Sequence, residues 1–358
     1  MDNWILTIGG DVCPTVANEE MFAGGMHEAL FGDVLDVFEA SDVNLVNLEC
    51  ALTCSENAIK KYGPNLKSSP KSAATLKAAG ITHCGLSNNH AFDFGIEGLQ
   101  DTVNALTENG IAYTGIGDNA ADARKNLIIE KNGKKIAVIT VCEHEYSYAL
   151  PDRIGTREYD PYDTNDDIAA AKKQADYVIV LYHGGKELCR YPSPRLRKLC
   201  RSMANHGADV VLCQHSHCIG CYENFNGCHI LYGQGNFHFT GIVGLETEMW
   251  QTALLVQLNI GNTLEISFIP VKADGASIAL AKGEDKKSIL REFAERNAEL
   301  ADGRWKNGWH AFCEDNRERY TNAIADGDYD FFSHYLDCEA HTDVWRELFP
   351  TWNQTNEK

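Results

Sequence analysis

Positive charge is what this chain lacks most. Its 358 residues carry 32 Lys and Arg against 51 Asp and Glu, a formal net charge of −19. The basic excess of a nucleic-acid-binding chain is missing, and so is electrostatic attraction to an anionic membrane. No apolar run approaches the ~18 residues of a membrane span. The start, MDNWILTIGGD, has no basic stretch before its apolar run, so it reads as a strand and not as an export signal. Internal repeats and low-complexity tracts are absent. What is present fits a globular chain: 44% hydrophobic and 23% charged residues leave ample material for a core. Thirteen cysteines without an export signal imply reduced thiols, so the expected location is cytoplasmic. With so acidic a chain, an anionic substrate needs local positive charge from metals, Arg or Lys.

Strand and helix patterns alternate over residues 1–275. Apolar runs such as ILTIGG, VNLVNL, YVIVLY and DVVLC read as buried strands. Between them lie helical patterns, one over residues 95–109 with Ile96, Leu99, Val103 and Leu106 on one face and Gly110 as the stop. Asn132-Gly133 reads as a hairpin turn. Beyond about Ala273 strand signals vanish. Aromatics such as Trp305, Trp309, Phe331 and Tyr335 recur at helical spacing, which predicts a helical segment over residues 276–358 packed on the first part.

Residues of types suited to metals follow the apolar runs. Asp11 ends ILTIGGD and Glu49 ends VNLVNLE. Asn89 and His90 end ITHCGLSNNH. His183 ends YVIVLYH, and His215 and His217 end DVVLCQHSH. In layered α/β proteins the loops after strands gather along one sheet edge. Carboxylate, amide oxygen and imidazole suit one or two divalent ions, Mn, Fe or Zn. A carboxylate can bridge two cations. Each residue also has a plain structural reading: Asn88 or Asn89 as a helix cap, Asp11 or Glu49 as a turn residue. Their common placement favours a site. Around it lie Glu187, able to orient a histidine, and Arg190, whose guanidinium suits an anionic group. Glu143, His144 and Glu145 follow another strand and could face the substrate.

The ordered set GGD, NLE, NNH, HGGKE, QHSH and YGQGNF resembles the capsule-synthesis CapA-type (poly-γ-glutamate synthesis) family. That family in turn resembles the calcineurin-like metallophosphoesterases. The resemblance covers roughly residues 4–270. It implies an α/β/β/α four-layer sandwich, with a helical C-terminal extension added by this chain. It implies metal roles for Asp11, Glu49, Asn89, His183, His215 and His217, a general-acid role for His90, and a supporting role for Asn236 in YGQGNF. It implies metal-dependent hydrolysis linked to a capsule polymer such as poly-γ-glutamate.

This chain departs from the phosphoesterase D-x-H at Asp11-Val12-Cys13. One metal loses an imidazole there unless the Cys13 thiolate replaces it. A rival zinc site would use Cys213, Cys218, Cys221 and Cys228, since Cys218 and Cys221 form a C-x-x-C. Three functions follow. The first is a CapA-type hydrolase acting on an anionic polymer. The second is a phosphatase or phosphodiesterase for a small metabolite. The third is a non-catalytic accessory protein of a polymer synthetase.

Overall fold

The computed structural model describes residues 3–143 and 145–350. Two sheets face each other. The first runs, in spatial order, Ser277–Leu280, Leu264–Asp274, Thr252–Ile260, Trp4–Val12, Val43–Leu48, His83–Gly85 and Ala112–Thr114, with Asn236–His238 also paired to the end of Trp4–Val12. The second runs Tyr222–Phe225, Cys228–Leu231, Val210–Gln214, Tyr177–His183, Lys134–Cys142 and Leu127–Lys131. In both, the central strands are parallel and the outer hairpins antiparallel. Parallel strands buried on both faces need near-continuous apolar runs, which is why VNLVNL and YVIVLY are read so readily.

The two-residue period of a strand divides these runs between layers. Ile179 and Leu181, with Val210 and Leu212, face Leu6, Ile8 and Val256 between the sheets. Val178, Val180, Val211 and Cys213 face outward onto Leu196, Leu199 and Met203 of the helix Pro194–Asn205. The other sheet buries its outer face against Phe22, Phe31, Phe38, Leu76 and Leu106. The result is a layered α/β sandwich.

Five helices follow the sheets, from Gly283–Asp302 to Glu339–Leu348. Leu300, Trp305, Trp309, Tyr320, Tyr335 and Val344 join the outer core of the second sheet. The recurrent aromatics are therefore core, as their spacing predicts. Among the described residues no helix is long and apolar enough to cross a membrane.

Several expectations shift. The strand Ser277–Leu280 pairs with Leu264–Asp274, so the first sheet continues past 275. Its pattern, Ser-Ile-Ala-Leu, is too short to stand out. Ile96 is exposed, and the buried face of its helix is Leu99, Thr102, Ala105 and Leu106. The helix Pro161–Lys172 starts where Asp160 caps it, its side chain accepting from the Tyr162 and Asp163 amides. Asn132-Gly133 does turn a hairpin, with φ of 52° and 73°.

Candidate metal centre

The parallel strands of both sheets end at one place. Asp11 lies near the end of Trp4–Val12, and Glu49 directly follows Val43–Leu48. His183 closes Tyr177–His183, and His215 directly follows Val210–Gln214. The register of Asp11 against Asn236 brings in the YGQGNF segment. All these side chains are almost completely buried.

Contacts among them are dense. Nε2 of His183 lies 2.9 Å from Oδ1 of Asn89 and 3.3 Å from Oε1 of Glu49. Nδ1 of His183 lies 3.9 Å from Oδ1 of Asp11. The backbone N–H of His215 donates to Oδ2 of Asp11 at 3.1 Å, and Nδ1 of His217 lies 3.7 Å from the same oxygen. Glu49, His215 and His217 offer ligand atoms that all lie within 4.8 Å of one another, a group able to hold a divalent ion. Neither oxygen of Glu49 accepts a hydrogen bond among the described residues. A buried carboxylate without donors is costly; a cation would answer it.

The backbone is bent to make this cluster. His215 and His217 adopt φ of 82° and 53°, in the left-handed region. Such a conformation costs on the order of 1–3 kcal/mol per non-glycine residue and persists where the surroundings enforce it. Here Asp11 holds the His215 amide, and Asn236 Oδ1 accepts from Nδ1 of His217 at 2.8 Å. Trp250 lies against the His217 ring, with centroids 4.6 Å apart, and its carbonyl accepts from Asn236.

The electrostatics mark a site short of positive charge. Burial, then the neighbouring Glu49 charge, push Asp11 up to about 6. Burial also raises Glu49. Burial drives His183 down to about 4. Burial opposes protonation of His217 too, but Glu49 and Asp11 outweigh it, and its pKa rises. Paired buried carboxylates that disfavour each other's charge are the setting a bound cation relieves.

Asn88 donates to Oδ1 of Asn47 and to the carbonyl of Leu48, and its Oδ1 accepts from the His90 amide at 3.1 Å. It therefore shapes the loop that carries Asn89 and His90. Nδ1 of His90 lies 2.6 Å from Asp93. Burial outweighs Asp93 and lowers the His90 pKa.

Other expected residues lie elsewhere. Cys13 packs in the core beside the first sheet, donates to the Pro14 carbonyl, and has its thiol raised by burial and by Cys50, so thiolate ligation is not supported. Glu143 is turned away, accepting from Tyr182, the Gly185 amide and Arg195; it braces the loop after His183. Arg190 pairs with Glu292 at 3.2 Å. Glu187 lines the cavity above the cluster. Glu145 opens a short 3₁₀ turn, and His144 lies outside the described residues. Among the described residues the rival cysteine zinc site does not form: Cys213 contacts Cys200, Cys221 the Arg190 carbonyl and Cys228 the His229 carbonyl.

Sequence reasoning missed Asn47, which donates to Asp11 at 2.8 Å and sits 3.2 Å from His183. It missed Asp93 and Lys61, which pair beside His90. The His90-x-x-Asp93 spacing was a usable signal; Lys61, in a loop far along the chain, gave none. It also missed Arg319, His334 and His341, brought over the site by tertiary packing.

Fold and cluster together define a layered α/β protein with a buried group able to hold a divalent cation. A family model described as "Bacterial capsule synthesis protein PGA_cap" matches residues 5–240, and the chain belongs to that family. It is 30% identical over 281 residues to the PGA biosynthesis protein CapA of Bacillus subtilis, covering 75% of this chain and 72% of that protein. It is 29% identical over 288 residues to a probable polyglutamine synthesis accessory protein of Mycobacterium tuberculosis, covering 74% of this chain and 75% of the other. A solved structure of a hypothetical protein from Thermus thermophilus aligns with a TM-score of 0.46 at 18% identity, over 78% of this chain and all of that one (100%).

Proposed function

We propose that this chain is a metal-dependent hydrolase of the CapA type, with a metallophosphoesterase-like site and a role in making or processing an anionic capsule polymer such as poly-γ-glutamate. The observation that carries the reading is Glu49, a fully buried carboxylate with no hydrogen bond among the described residues, set against His215 and His217. Glu49, His215 and His217 would hold one ion, Mn, Fe or Zn, and Asp11, Asn89 and His183 would complete that shell or hold a second ion. A cation bound there supplies Lewis-acid activation of an oxygen centre.

The protein's own groups do the rest. Asn236 and Asn47 fix the rings of His217 and His183. Asp93 occupies Nδ1 of His90, which leaves Nε2 to exchange a proton with the substrate. The low His90 pKa makes an anionic substrate the natural partner, because its charge favours the protonated ring. The cytoplasmic expectation stands as part of this reading.

The test is metal content by mass spectrometry on protein without a histidine tag, beside an Asp11→Ala, His215→Ala double variant. About one to two equivalents of Mn, Fe or Zn, lost in the variant, are expected for such a site. No metal after incubation with each ion sinks the hydrolase reading. A screen of phosphate esters against γ-glutamyl peptides then separates small-metabolite phosphatase from polymer hydrolase. In either case His90→Ala lowers turnover by ~10²-fold or more. A second reading, an accessory protein without turnover, draws on two observations: Cys13 is withdrawn into the core, and the Mycobacterium tuberculosis relative is named an accessory protein. It predicts partner binding that survives His90→Ala.

A further inference from the structure

The C-terminal helices do more than complete the core. A cavity of about 180 Å³ opens above the cluster, and its wall joins Asn89, His90 and His215 to Arg319, His334 and His341. The latter three come from helices beyond residue 240, where the family match ends. Tyr62 fastens the two sides. Its ring stacks on Phe331 at 4.4 Å and on His334 at 5.1 Å. The wall is thus part of the folded molecule.

Its charge runs against that of the chain. In a protein of net charge −19, Lys61, Lys186 and Arg319 line this cavity against one carboxylate among the described residues, Glu187. Lys61 is committed to Asp93, and Lys186 lies 3.9 Å from Glu187. Arg319 has no carboxylate within ion-pair distance among the described residues. Its guanidinium lies 5.5 Å from the centre of the Phe331 ring and interacts with the Tyr335 hydroxyl, contacts that use only part of its five N–H donors. A guanidinium so placed suits a two-point grip on carboxylate or phosphate.

We propose that this cavity takes a small molecule, or a chain end, bearing two anionic groups: one directed to the metal cluster, the other gripped by Arg319. The inference rests on the metal reading above. It assigns the C-terminal helices a part in substrate selection, since a wall on both sides admits an end and obstructs the middle of a polymer.

The test is calorimetric titration of the full-length, metal-loaded protein with phosphonoalkanoic acids of increasing chain length, each beside the alkylphosphonate of equal length. Metal content is measured on the same samples. At one length the carboxylate strengthens binding by about tenfold, the scale of one charged hydrogen bond. Arg319→Gln abolishes that gain, Arg319→Lys keeps part of it, and alkylphosphonate affinity stays the same in all three proteins. If alkylphosphonates bind but the carboxylate adds nothing at any length, or its gain survives Arg319→Gln, this proposal is overturned while the metal site stands. If no metal is held and no phosphonate binds, the metal reading fails and takes the proposal with it.

Discussion

Single side chains carry most of the meaning here. Glu49 is a buried acid that accepts no hydrogen bond among the described residues, and that arrangement lowers stability unless a cation is present. In chelator, Glu49→Gln therefore melts higher than wild type, because it removes a buried charge. With Mn or Zn added the order reverses, and the variant holds less metal. Thermal melts with and without chelator, paired with metal analysis, check both. Activity sites commonly trade stability in this way. At this scale the sequence was legible where a ligand-type residue directly follows an apolar run, as with Glu49, His183 and His215. It left Cys13 open between a ligand and a buried apolar residue, because its distance from Asp11 in sequence does not reveal which way a residue faces. Asp11 and Cys13 are two apart, yet the register shift at Asp11 and Val12 breaks the simple alternation.

Between elements, two ion-pair systems tie the helices to the second sheet. Asp343 of the last helix accepts from Ser193 at 2.6 Å and from Arg195 at 2.8 Å, and Arg195 also donates to Glu143 at 3.0 Å, which holds the Gly185 amide. Asp343→Ala leaves Arg195 and Glu143 poorly matched, with an expected cost of about 3 kcal/mol in denaturant unfolding. Glu223 forms the other system, with Arg201, Tyr232 and Arg197 as donors. Burial alone would raise its pKa, but these donors pull it down to about 2 from 4.5. A depressed carboxylate contributes stability above its unfolded pKa, and that contribution fades as pH falls from about 4.5 to about 2. After allowance for solvent screening it is about 1–2 kcal/mol. Glu223→Gln should lose that much at pH 7, with the loss shrinking as pH falls from about 4.5 toward about 2, read by unfolding curves across the range. Long elements were legible in the sequence because their apolar periods are strong. Short strands such as Asn236–His238 and Ser277–Leu280 were not, because neighbouring strands, and not local preference, make them strands.

For the whole molecule, the C-terminal helices share one apolar core with the second sheet. Ending the chain after Leu280 strips Trp305, Trp309, Tyr320 and Tyr335 from that face, and the shortened protein is expected to aggregate or to bind a hydrophobic dye. The full chain should gain stability from metal by mass action, about 2.7 kcal/mol at one hundred times the dissociation constant. Melts of wild type and the Asp11→Ala, His215→Ala variant would show it, with no gain in the variant. The layered class was legible from alternating patterns, but the covering of the site by Arg319, His334 and His341 was not, since nothing local to residues 319–341 names their neighbours. The placement of the cluster has a mechanical side. Asp11 and Glu49 hang from one sheet, and His183, His215 and His217 from the other. An ion clasped by both sets would act as a rivet through the seam, so that a pulling force would meet its coordination bonds before the greasy faces could slide.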